Sequence, residues 1–331
     1  MKVTVLGAGS WGTTVASLVA RRHQATLWAR EPGLADEINR RHVNPLFLDG
    51  FALPENLRAT EDLVEAACTA QLLIVGIPSA WFREVLARAA PDIPPWIPVI
   101  SLAKGLENPT LLRMTEIIKE LLPAHPAAAL TGPNLAKEIL AGKAAATVVA
   151  TEDPAVAQAL QEVLHRGLLR VYLNHDLIGC EIGGALKNVV AIGAGMAEGL
   201  GVGDNTRAAV ITRGLAELAQ LGVAMGGRME TFAGLSGLGD LLATCMSPYS
   251  RNRYVGEQLG RGRKLGDVLG EMTMVAEGVG TARSAVGLGD RHGLEMPIVR
   301  TILAVIEGDL SAGEAYARLR HIPAGHEKDP W

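Results

Sequence analysis

Lys2-Val3-Thr4-Val5-Leu6-Gly7-Ala8-Gly9-Ser10-Trp11-Gly12-Thr13 begins as a β-branched run and passes without a break into a glycine turn. From Thr13 to Arg22 small and apolar residues can form a helix facing a sheet, and Ala25 to Ala29 supplies a second strand. The chain therefore opens as a βαβ unit. In that context the Gly7-x-Gly9-x-x-Gly12 spacing has a mechanical reading. Gly7 permits the tight turn, Gly9 lets the backbone approach a pyrophosphate, and Gly12 allows close packing of helix on sheet, so that helix-terminal N–H groups point at the phosphates. The competing reading is a glycine turn of purely structural use.

The end of the second strand distinguishes the two nicotinamide dinucleotides. NAD sites usually place an acid there for the ribose 2′-hydroxyl, whereas this strand ends Trp28-Ala29-Arg30-Glu31, and a cation at Arg30 suits a 2′-phosphate. NADP(H) is favoured, with NAD(H) kept possible by Glu31.

Further strands fit Leu72 to Gly76, Ile97 to Ser101, Ala127 to Thr131, Ala144 to Ala150 and Leu168 to Tyr172, with helical stretches between most of them. Strands this continuously apolar belong to a sheet covered on both faces. After Asn174 such runs nearly vanish, and Thr206 to Leu221, Arg253 to Gly260, Val279 to His292 and Pro297 to Glu307 carry helical spacing. The expected organisation is an α/β Rossmann-type domain over 1–178, a separate all-helical domain over 179–325, and a polar tail at 326–331.

The 331 residues carry 31 Lys+Arg against 35 Asp+Glu, a net charge of −4, with 48% hydrophobic residues. That balance suits an ordinary globular chain and excludes a disordered or broadly basic, nucleic-acid-binding protein. Cys68, Cys180 and Cys245 have no zinc-site spacing and make a poor disulfide framework. They read as buried thiols in a reducing compartment, which makes the expected location cytoplasmic. No uninterrupted apolar run approaches the roughly 20 residues of a membrane span, so the expectation is not an integral membrane protein.

Four polar segments interrupt otherwise apolar sequence: Ser101 to Gly105, Thr131 to Glu138, Gly183 to Asn188, and Leu235 to Asp240 continuing through Thr244 to Arg253. Two follow strand ends, where open α/β sheets bind ligands. Lys187 lies within the small and aliphatic stretch Gly183 to Ala197 and must reach an anion, a partner or the surface. Hydride transfer to a carbonyl leaves charge on oxygen, and a lysine can supply both the proton and a stabilising cation. Lys104, before Gly105, is the second candidate; its alternative is a surface loop lysine. Arg251 and Arg253 bracket Asn252 at a helix start and could receive a phosphate or form a solvated face. Asp240 can orient a lysine or a substrate hydroxyl, or merely cap a turn.

Taken together, these motifs resemble those of the bacterial NAD(P)-dependent glycerol-3-phosphate dehydrogenase family: GAGSWGT at 7–13, SLAKG at 101–105, GPNLAKE at 132–138, EIGGALKNVVAIGAG at 181–195, GLSGLGDLLATC at 234–245, SRNRYVG at 250–256 and AEG at 276–278. The resemblance implies interconversion of dihydroxyacetone phosphate and sn-glycerol 3-phosphate, supplying glycerophospholipid synthesis, in a homodimer that needs no metal. It also implies Lys187 as proton donor and acceptor. Lys104, Gly132, Asn134, Asp240, Ser250, Arg251 and Asn252 become substrate residues alongside Lys187. The implied cofactor residues are Ser10, Trp11, Arg30, Lys104, Ala136, Arg251, Val275 and Glu277, which join the three glycines. Two positions depart from the family pattern. Asn134 stands where Ser or Thr is usual, and Val275-Ala276-Glu277-Gly278 offers one carboxylate where a pair is usual. Two other functions compete with this one: a dehydrogenase of hydroxy acids whose Arg251 group binds a carboxylate, and a cofactor-sensing protein without turnover, against which both lysines argue.

Overall fold

The structure, a computed structural model, describes residues 1–165 and 167–321; the tail read at 326–331 lies outside the described residues. Two compact units divide the chain. One comprises Met1–Ala103 and Met114–Leu177, the other Lys104–Arg113 and the chain from Ile178 onward. Lys104–Arg113, read from the sequence as part of the first domain, thus belongs to the second unit.

The first unit is built on an eight-stranded sheet: β1 (Lys2–Leu6), β2 (Gln24–Trp28), β3 (Arg58–Thr60), β4 (Leu72–Val75), β5 (Val99–Ser101), β6 (Ala127–Thr131), β7 (Ala145–Ala150) and β8 (Leu169–Asn174). The order β3-β2-β1-β4-β5-β6-β7-β8 contains the doubly wound arrangement in its first six strands. All neighbours are parallel except β6 and β7, which run antiparallel. Fully buried residues such as Val5, Leu27, Ile74 and Ile100 are the direct cause of this topology, because strands apolar on both faces need layers above and below. Only β3 has no counterpart in the sequence reading. It is three residues long and begins on an arginine, too short for a periodicity to register.

The topological switch point lies between β1 and β4, and the first helix, Ser10–Ala20, starts there. Gly7 has a φ of +109°, and a Cβ on it would lie 2.7 Å from Gly76 O, so only glycine satisfies both demands. A Cβ on Gly12 would fall 2.0 Å from Gly7 O, which bars any larger residue from the helix start. Buried Asn44 fastens this turn from outside the motif, donating to Ala8 O at 2.8 Å and to Thr13 Oγ1 at 2.9 Å.

The second unit is helical, and its core surrounds the helix Leu177–Leu200. By length and hydropathy that helix could cross a membrane, but 89% of its most apolar stretch is buried inside the protein. Its apolar residues face all directions, which is why no single stripe of helical spacing announces it in the sequence. The helix Arg251–Gly260 packs on it backbone to backbone: a Cβ on Gly256 would stand 1.9 Å from Ile192 O, and one on Gly195 2.1 Å from Arg253 O.

Candidate active site

In the first unit the helix Ser10–Ala20 begins at Gly9, and no side chain caps it. A Cβ at Gly9 would meet nothing within 4 Å. The glycine there serves access to the backbone rather than packing, and the first-turn N–H groups make an anion-receiving surface. Trp11 adds an indole Nε1 that is buried without a hydrogen-bond partner. Buried donors ordinarily have partners, so this one fits a ligand group. These features suit a dinucleotide pyrophosphate. Arg30 lies just past the end of β2 with its side chain 68% exposed, and its guanidinium stands 2.9 Å from the Glu31 carboxylate.

The segment after β6 carries a second set of unsatisfied groups. Gly132 turns at a φ of +108°. Thr131 Oγ1 and both carboxamide atoms of Asn134 are buried with no hydrogen-bond partner. Ala136 opens the short helix Ala136–Leu140. A carboxamide offers both a donor and an acceptor where a hydroxyl is usual, so Asn134 retains the capacity to hold a polar ligand.

The second unit concentrates charge around one buried carboxylate. Asp240 begins the helix Asp240–Met246 and is 1% exposed. Its Oδ1 accepts from Lys187 Nζ at 2.5 Å and its Oδ2 from Lys104 Nζ at 2.7 Å. Lys187 comes from the middle of Leu177–Leu200 and Lys104 from the separate segment Lys104–Arg113, so three distant pieces of chain meet. A second bond from Lys187 Nζ goes to Thr244 Oγ1 at 2.6 Å. An ammonium has three protons, and these two bonds take up two of them. Two ammoniums on one carboxylate leave a net positive charge in a dry place, which is what a developing alkoxide requires. Burial pushes the Lys104 ammonium from 10.5 down to about 8, with Asp240 opposing the shift and Lys187 adding to it. Beside this cluster, burial lifts the Cys245 thiol to about 12, so it stays protonated and inert. Cys180 is buried as the sequence led one to expect, whereas Cys68, at the C-terminal end of the short helix Leu63–Cys68, is exposed.

The remaining second-unit candidates lie on or near helix starts. Ser250 is buried, and its Oγ caps Arg251–Gly260 by accepting from Arg253 N at 3.2 Å. Arg251 opens that helix in an exposed position, with the Glu277 carboxylate in electrostatic reach. Arg253 instead turns to Ser247 O and Glu257. The Asn252 carboxamide is engaged inside the protein, donating to Asn188 Oδ1 at 2.8 Å and accepting from Gly278 N at 2.9 Å. Asn188 in turn donates to Lys104 O at 2.8 Å. Val275 and Glu277 are half-buried at the start of Glu277–Arg291. Two residues escaped the sequence reading as site members. Thr244 sits one helical turn after Asp240, a spacing that could have flagged it. Asn188, next to Lys187, carried no separate signal. Among the described residues no group of three or more His, Cys, Asp or Glu side chains is placed to hold a metal.

A nucleotide-type glycine turn at the switch point of a doubly wound sheet, with a buried lysine pair on one carboxylate in a helical unit, defines a dinucleotide-dependent oxidoreductase. Comparison with known proteins narrows this class. The profile described as NAD-dependent glycerol-3-phosphate dehydrogenase N-terminus matches residues 2–157, and that described as the C-terminus of the same enzyme matches 176–317. The chain is 53% identical over 330 residues to glycerol-3-phosphate dehydrogenase [NAD(P)+] 2 of Sphingopyxis alaskensis, covering 100% of this chain and 99% of that one. It is 49% identical to the Mycobacterium avium glycerol-3-phosphate dehydrogenase [NAD(P)+], with 98% and 96% covered. The crystal structure of glycerol-3-phosphate dehydrogenase from Coxiella burnetii superimposes with a TM-score of 0.93 at 35% identity, covering 97% of this chain and 99% of that one. The chain belongs to the NAD-dependent glycerol-3-phosphate dehydrogenase family.

Proposed function

We propose that the protein reduces dihydroxyacetone phosphate to sn-glycerol 3-phosphate, reversibly, with a nicotinamide dinucleotide as reductant, and so supplies glycerophospholipid synthesis. The observation that carries the chemistry is the Lys187–Asp240–Lys104 cluster, two ammoniums on one buried carboxylate. The first unit serves as the dinucleotide-binding domain, with Gly7, Gly9, Ser10, Trp11, Gly12, Arg30 and Ala136 as its contacts. Lys104, Arg251, Val275 and Glu277 add cofactor contacts from the second, substrate-binding unit. When bound, the reduced nicotinamide supplies hydride to the ketone carbon.

The protein's own residues handle the proton and the charge. Lys187 donates to the oxygen as it becomes an alkoxide, and Thr244 and Asp240 hold its nitrogen in place for that transfer. Lys104 contributes a second positive charge against the same oxygen, and Asp240 orients both ammoniums and opposes the loss of the Lys104 proton. Arg251 holds the substrate phosphate together with Ser250 and the backbone amides at the helix start. Gly132 and the unsatisfied Asn134 carboxamide supply further polar contacts. Asn252 acts mainly through Asn188, because its carboxamide already has protein partners at both ends. Arg30 makes NADP(H) the preferred cofactor through the 2′-phosphate. The active form is taken to be a cytoplasmic homodimer, in keeping with the family resemblance.

The direct test follows the absorbance of reduced nicotinamide with dihydroxyacetone phosphate and each cofactor in turn. Oxidation that requires the phosphorylated ketone, with NADPH the more efficient reductant, supports the proposal. Turnover of a 2-oxo acid in place of the ketone would overturn the substrate, and equal efficiency of both cofactors would overturn the preference.

A further inference from the structure

Lys104–Arg113 belongs to the second unit although its chain neighbours on both sides belong to the first. Its own bonds close it into a loop. Leu106 and Arg113 pair as an isolated antiparallel bridge. Within the loop Glu107 N–H donates to Leu112 O at 3.0 Å and Leu111 N–H to Glu107 O at 2.8 Å. Arg113, at the opposite end of the loop from Lys104, is therefore coupled to it through Leu106.

Separate attachments fix this loop to the helical unit. Leu106 is 2% exposed and lies in that unit's apolar core. Asn108 Nδ2 donates to Gly280 O at 2.9 Å and its Oδ1 accepts from Ser284 Oγ, both on the helix Glu277–Arg291. Arg113 Nη1 stands 2.6 Å from Glu181 Oε2, with the two side chains only 10% and 7% exposed. At the other end Asn188 Nδ2 holds Lys104 O. A buried ion pair is a poor stabiliser compared with apolar residues of similar volume, because both charges lose their water. What such a pair does well is fix geometry, since a guanidinium meets a carboxylate in few orientations.

We propose that the Arg113–Glu181 pair and Asn108 are positioning residues for Lys104: they lock the loop so that the Lys104 ammonium meets Asp240 and the substrate oxygen. This rests on Lys104 acting in the reaction as proposed above. Displacements of about 1 Å at a reacting group can lower rates by about 10²-fold, so loosening a remote anchor has a measurable effect without any contact to substrate. An effect that runs through Lys104 disappears when Lys104 is removed, and that separates positioning from general structural support.

The experiment is a double-mutant cycle on the full-length protein, reading kcat/KM for dihydroxyacetone phosphate at saturating cofactor. Glu181→Gln and Asn108→Ala are each made in the wild type and in the Lys104→Ala background, with thermal unfolding followed in all. The expected result is a loss of about 10- to 100-fold for each anchor variant in the wild type and less than about twofold in the Lys104→Ala background. Glu181→Asp, which keeps the charge, should recover part of the loss. Asn108→Ala removes no charge, so it carries the test even if Glu181→Gln proves too unstable to assay. Equal fold-losses in both backgrounds would overturn the inference, as would wild-type kcat/KM in both anchor variants. A Lys104→Ala enzyme with undiminished kcat/KM would instead overturn the role of Lys104, and this inference with it.

Discussion

Replacing Asp240 with asparagine keeps the shape of the side chain and removes its charge. Lys187 at 2.5 Å and Lys104 at 2.7 Å share that carboxylate, in a position 1% exposed. Two like charges about 4 Å apart repel by about 4 kcal/mol at an effective dielectric near 20. Stranding a buried charge by removing its partner costs about 3–5 kcal/mol by an independent route. Together the two figures correspond to about 10²- to 10⁴-fold in rate or affinity. Lys104 is the group to give way, being already brought down to about 8, mainly by burial. In the wild type, kcat/KM should therefore decline as Lys104 loses its proton above pH about 8. In Asp240→Asn that decline should move to lower pH, and kcat/KM near neutrality should fall by about 10² or more. The assay is a pH series of initial rates, with a fluorescence titration of cofactor beside it. Affinity for cofactor should change by no more than a few-fold. A variant within about threefold of wild-type kcat/KM, with its alkaline limb unmoved, would refute the reasoning.

Arg30→Ala should weaken NADPH binding by about 1–3 kcal/mol and leave NADH nearly unchanged, since only the former carries the extra anion; equal weakening of both in a titration would remove Arg30 from cofactor choice. Arg251→Ala should raise KM for dihydroxyacetone phosphate and lower kcat/KM, with a much smaller effect on unphosphorylated dihydroxyacetone at saturating cofactor. Similar fractional losses for both ketones would show that Arg251 does not read the phosphate. Glu217, buried on the helix Asp204–Ala224, accepts from the N–H groups of Ile298 and Val299 at the start of Pro297–Glu307 at 2.7 and 3.0 Å, yet burial still lifts its carboxyl from 4.5 to about 7. The folded state then binds more protons than the unfolded state between those values, so this group lowers stability as pH rises from 4.5 to about 7. Glu217→Gln should lack that slope, and unfolding midpoints that fall in parallel with wild type across the window would contradict it.

The fold was legible in the sequence where the chemistry is local. Gly7, Gly9 and Gly12 follow a strand and open a helix, and their steric roles in the structure are those the spacing demands. Lys187 stood out because a single cation in an aliphatic stretch must reach an anion, a partner or the surface, and the structure supplies the anion in Asp240. Sequence did not reveal which unit holds Lys104. The segment 104–113 has neither strand nor helix periodicity, and its attachments, Asn108 to Gly280 and Arg113 to Glu181, join residues far apart in the chain. Asn44 was illegible for the same reason. A lone polar residue says nothing of the distant turn whose carbonyl it satisfies. The helix Leu177–Leu200 hid its period by being apolar all round, although its residues were read as the setting of the chemistry.

The central claim is that Lys187 delivers the proton in the reduction of a phosphorylated ketone, and Lys187→Ala tests it most directly. With dihydroxyacetone phosphate and cofactor both saturating, kcat should fall by about 10²-fold or more, while cofactor affinity measured on the same preparation stays within a few-fold of wild type. A folded variant that binds cofactor normally and keeps more than about a tenth of wild-type kcat would contradict the account.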